Sequence, residues 1–149
     1  MNEVVSYALL VVLGVAIISS TFVVFNNLQT SLVSVAIEGE MNRVIEYVSN
    51  KVLFAYGIIL EGANITLTLE LPSSIQGYRY FIKFNTSTDG EKQITISIPT
   101  RNLSVVKELS TIDSSITFQG QIDSRQLEEM VPIIRASPNF IVLEVVSSG

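Results

Sequence analysis

The chain holds 149 residues, room for one compact domain plus an extended element, and 48% of them are hydrophobic. Nine Lys and Arg against 14 Asp and Glu give a formal net charge of −5, and the bases form no patch, which argues against a nucleic-acid partner. Zero His and zero Cys remove the usual general base, the thiol nucleophile, a disulfide framework and the commonest transition-metal ligands. No enzymatic activity, cofactor or metal site is therefore expected.

Between Glu3 and Glu38 no charged side chain occurs. Residues 4–25 read VVSYALLVVLGVAIISSTFVVF, long enough for a helix to cross the roughly 30 Å hydrocarbon core of a bilayer. Met1-Asn2-Glu3 carries no base, the first basic residue is Arg43, and the run exceeds a secretory signal's apolar core, so a cleaved secretory signal fits poorly. A helix apolar on every side must be covered by lipid or by other helices. Val4, Leu9, Val12, Gly14, Ile17, Val23 and Phe25 are the candidate assembly residues. Gly14, with Ala16 and Ser20 nearby, permits close helix approach.

Ile37, Met41, Val44, Ile45, Val48 and Val52 then recur on one helical stripe, with Glu38, Glu40, Asn42, Arg43, Glu46, Asn50 and Lys51 around the rest. No Pro precedes Pro72, so one helix is expected to run from about Asn2 to about Ala55; two helices joined near Asn26-Asn27 are the alternative. Gly57 and Gly62-Ala63 are read as closing the helical region.

Downstream the period changes to 2. ITLTLEL, YRYFIKF and QITISI place Ile65, Leu67, Leu69, Leu71, then Tyr78, Tyr80, Ile82, Phe84, then Ile94, Ile96, Ile98 on one face. Residues 85–90 (NTSTDG) read as an exposed hairpin loop. Ile116, Phe118 and Ile122 mark another strand and residues 140–146 a last one, with Val105-Val106 and Ile133-Ile134 as short edge strands. The fold class is thus α+β: a long N-terminal helix followed by an antiparallel, β-sandwich-like domain, whose sheet packs on the stripe from Ile37 to Val52. The expected organisation is 1–27 as hydrophobic assembly or membrane segment, 28–56 as amphipathic helix, and 57–149 as β domain.

Asp123, Glu128 and Glu129 are the densest acid cluster, read as solvated surface. Asn64, Asn85 and Asn102 each begin an N-x-[ST] triplet and are candidate N-glycosylation sites, Asn85 foremost because of its loop.

A long N-terminal helix, apolar in its first half and amphipathic in its second, feeding a strand series from Ile65 to Val146, resembles the archaeal type IV pilins and the related archaellins. The resemblance implies a structural subunit of an extracellular, cell-surface filament, polymerising with itself through residues 4–25 and serving adhesion. It further implies a membrane-inserted state before assembly, trimming by a prepilin peptidase, an assembly machinery, and glycosylation of outward-facing domains. The alternative is a membrane-anchored β domain of an archaellum-type machine, binding a fixed partner like a stator.

Overall fold

A computed structural model describes residues 2–147 of the chain. One helix, α1 (Asn2–Leu60), precedes seven strands: β1 (Ile65–Thr68), β2 (Phe81–Thr86), β3 (Lys92–Ile98), β4 (Leu103–Glu108), β5 (Thr117–Asp123), β6 (Met130–Ser137) and β7 (Phe140–Ser147). The fold is α+β. The helix passes Asn26-Asn27 without a break and continues through Gly57 to Leu60, beyond the expected boundary at 56. A glycine inside a helix costs about 1 kcal/mol relative to alanine. Burial of Ala55 and Ile59 on the same stripe as Val52 offsets that cost here. The stop falls at Gly62, whose φ of 82° only glycine adopts readily and whose N–H donates to the Ile59 carbonyl at 3.0 Å.

Two compact units divide the chain, the first ending at Ala36 and the second beginning at Ile37. That division lies later than the expected 27/28 boundary, because it is Ile37 that first finds a core. In the second unit Ile37, Met41, Val44, Ile45, Val48 and Val52 join Leu69, Tyr80, Ile82, Ile96 and Phe118 in one hydrophobic core, with Leu67 packed at its margin. Val48 and Val52 are 0% exposed. The helical stripe and the inward strand faces thus meet as their periods require. The Phe84 and Phe118 rings stack within this core, centroids 4.4 Å apart. Glu40 and Glu46 flank the stripe: Gln76 Nε2 donates to Glu40 at 2.9 Å, and Lys107 pairs with Glu46 at 2.7 Å.

All seven strands belong to one sheet, ordered β1-β6-β7-β5-β2-β3-β4. Every pairing is antiparallel except β5 with β7. Val105 and Val106 do lie on an edge strand, β4, but Ile133 and Ile134 lie on β6, an interior strand bonded to both β1 and β7. Pro132 makes β6 look like an edge in sequence, because proline cannot donate to a ladder. Its carbonyl accepts from Leu69 N–H at 2.9 Å, so its nitrogen faces the β1 side just where the β1 ladder has ended at Thr68. The missing donor therefore falls at the last rung of the β1–β6 pairing, where a single ladder bond is forgone. Gly120 is required by closeness: a Cβ there would stand 2.1 Å from the Leu143 carbonyl oxygen, at a φ of 133°.

Candidate assembly surface

The first unit is a helix without a buried side. Val4, Leu9, Val12, Ile17, Val23 and Phe25 are between 57% and 73% exposed, and Leu28, Leu32 and Val35 continue the surface. Leu9 through Leu13 are all exposed, and five successive residues at about 100° each sweep the whole circumference. A helix built to cover one core would hide a stripe; this one hides none. It is long and apolar enough to cross a membrane.

Five of its hydroxyls are turned back onto the helix itself. The hydroxyls of Ser6, Ser20, Thr21, Thr30 and Ser34 donate to the carbonyls four residues earlier, Asn2, Ala16, Ile17, Asn26 and Thr30, at 2.7–3.1 Å. These five hydroxyls are satisfied without water, which lowers the cost of carrying them into an apolar medium. Gly14 has no atom within 4 Å of where a Cβ would stand, so no packing inside the chain demands glycine there.

The second unit carries a further apolar patch that periodicity did not single out. Leu53, Phe54 and Leu60 are 36%, 57% and 69% exposed on the side of the helix away from its buried stripe. They could have been noticed as large apolar residues out of phase with Val48, Val52 and Ala55. Arg43 is exposed on that side and, among the described residues, makes no ion pair or hydrogen bond. Glu3, the only charge in the first unit among the described residues, likewise has no partner there.

Of the acid cluster, Glu128 and Glu129 are exposed, whereas Asp123 is tied into the fold. Asp123 Oδ1 accepts from Arg79 Nε at 2.8 Å and from Arg125 N–H at 3.1 Å, capping the short 3-10 helix Ser124–Glu128. The Arg79 hydrogen bond holds the Asp123 carboxyl below the usual carboxylate range. Tyr80 is the opposite case: burial, then the charge of Glu40, pushes its phenol up, and its hydroxyl donates to the Pro72 carbonyl.

The three sequons are placed differently from one another. Asn64 is exposed in the loop between α1 and β1, and Asn102 is exposed in a left-handed turn (φ 51°) after the 3-10 helix Pro99–Arg101. Asn85 is not in a hairpin loop. It lies within β2 opposite Gln93, half-buried, with its Oδ1 accepting from the Thr95 hydroxyl at 3.5 Å. The turn itself is residues 87–91, closed by Ser87 N–H to the Glu91 carbonyl at 2.7 Å. Asn85 and Thr86 had read as loop because they are polar, yet β2 carries its polar residues on the solvent face and into its end.

These features define a class: a chain whose first helix presents an all-round apolar surface and whose α+β second unit has its own complete core. The chain matches no protein-family model, no curated protein and no solved structure.

Proposed function

We propose that this protein is a structural subunit that polymerises through the helix of its first unit into an extracellular filament of the archaeal type IV pilus kind, serving adhesion, after a membrane-inserted stage. The single observation that carries the reading is the exposure of every side of the helix through residues 4–25. A lone anchor needs lipid around it, and a filament core surrounds it with copies. Burial of one large aliphatic side chain contributes about 1.5–3 kcal/mol, so a run of this length outweighs the cost of docking a subunit. The back-bonded hydroxyls support the same environment, and the second unit, with its own core, is able to stay folded on the outside.

The test is electron microscopy of the surface of cells that naturally make the chain, with mass spectrometry of sheared filaments. Filaments built of this chain, abolished by Val12→Asp, are expected, because an unpaired carboxylate in a packed apolar core costs several kcal/mol. Single copies held in the membrane, with no filaments, would overturn the reading in favour of an anchored, partner-binding domain.

A further inference from the structure

Resting on the polymer reading, we propose that the Arg43–Phe54 face of one copy docks the Glu3–Gly14 face of another, with the two helices parallel. Arg43, Asn50 and Phe54 fall within an arc of about 60° on the outer side of the second unit's helix, at about 100° per residue. Glu3, Leu10, Gly14 and Ile17 fall within a similar arc on the first unit's helix. The interval from Arg43 to Phe54 equals that from Glu3 to Gly14, so one register satisfies both pairs at once. In it, the unpaired guanidinium of Arg43 meets the unpaired carboxylate of Glu3. The exposed Phe54 ring seats over Gly14, where the absence of a Cβ leaves a hole flanked by Leu10 and Ile17.

Two unrelated complementarities, charge with charge and ring with gap, thus fall at the same offset of about 40 residues, roughly 60 Å of axial stagger. An antiparallel arrangement with Glu3 on Arg43 would carry Phe54 away from Gly14, so only the parallel one satisfies both pairs. The occupant is therefore a second copy of this chain, entering by its apolar end.

The test uses the full chain in the same filament-bearing cells, reading sheared filament subunit against total chain. Glu3→Arg alone and Arg43→Glu alone are each expected to lower filament yield by at least about tenfold, and the double variant to return it to within about twofold of wild type. Because neither side chain makes an ion pair or hydrogen bond among the described residues, melting of the second unit stays within about 2 °C of wild type in all three. A second readout fixes the register: the chain lacks cysteine, so Thr21→Cys and Glu61→Cys, one on each of two co-produced chains, report proximity through a short bis-maleimide. Mixed dimers are expected from that pair and none from Thr21→Cys with Asn42→Cys.

Wild-type filaments with unaffected single charge variants, or a double variant no better than either single, would overturn this docking while leaving the polymer intact. Absence of wild-type filaments would overturn both. Equal cross-linking of the two cysteine pairs would overturn the register.

Discussion

Val48 is the sharpest probe of how the lower helix is held. Its side chain is 0% exposed at the centre of the stripe facing the sheet. Val48→Ala removes two carbons, worth about 1.6 kcal/mol of transfer energy, and leaves a cavity, for a total of about 2–3 kcal/mol. In a fragment beginning at Leu28 every member of the hydrophobic core is still present, since that core starts at Ile37. For a unit of this size about 4 °C of melting temperature accompanies each kcal/mol, so Val48→Ala should melt about 8–12 °C below wild type. Val48→Asp adds an unpaired buried carboxylate, several kcal/mol more, and the sum rivals the whole stability of an ordinary domain. The fragment should then be unfolded at room temperature. Circular dichroism melts of the three proteins read this directly. An unchanged melting temperature for Val48→Asp would refute the packing of helix on sheet and turn the stripe toward other subunits.

Gly120→Ala should destabilise the second unit by more than about 2 kcal/mol, since the new Cβ meets the Leu143 carbonyl across the β5–β7 pair; a wild-type urea midpoint would count against that geometry. Asp123 is held below the ordinary carboxylate range by Arg79, so the unfolded state binds more protons there than the folded one. Its stabilisation is fully present above the unfolded value of about 3.9 and is lost as pH falls through the lower folded value. Asp123→Asn should flatten the acid limb of stability below about pH 4, and an identical limb in both proteins would contradict the pairing. Peptide mapping of native protein should find any glycan on Asn64 or Asn102 and none on Asn85, whose side chain is engaged across the strand pair; an occupied Asn85 would show that its half-buried place is wrong.

Much of the fold was legible because two periods are clean. The stripe from Ile37 to Val52 and the alternation through Ile82, Phe84, Ile94, Ile96 and Ile98 each follow from burying one face, and all of these residues are in the core. Strand order is a different matter. Alternation says which face a residue takes and nothing about its neighbour, so the parallel β5–β7 pair and the interior place of β6 were invisible. Gly57 misled because it breaks a local rule at a spot where burial of Ala55 and Ile59 offsets the cost. For the assembly surface, the run from Val4 to Phe25 was plain from composition, while Leu53, Phe54 and Leu60 were masked by the buried stripe that shares their helix. What covers an apolar face is not written in the face alone; it is the shared offset of charge and gap that supports the proposed docking of a copy.

The place of β7 has a consequence for the order in which the molecule is made. It is the last strand in chain order, yet it sits inside the sheet, bonded to β6 on one side and β5 on the other. Until Phe140–Ser147 has been synthesised, β1 and β6 cannot be joined to the four strands from β5 to β4, and the sheet stays in two pieces. The apolar helix, by contrast, leaves the ribosome before every one of these strands and needs no later residue to form its hydrogen bonds. Local helix forms early and long-range strand pairing late. Under the proposed membrane-inserted stage, entry of the helix into lipid precedes closure of the domain, and the growing chain is held at a surface while its sheet is still open.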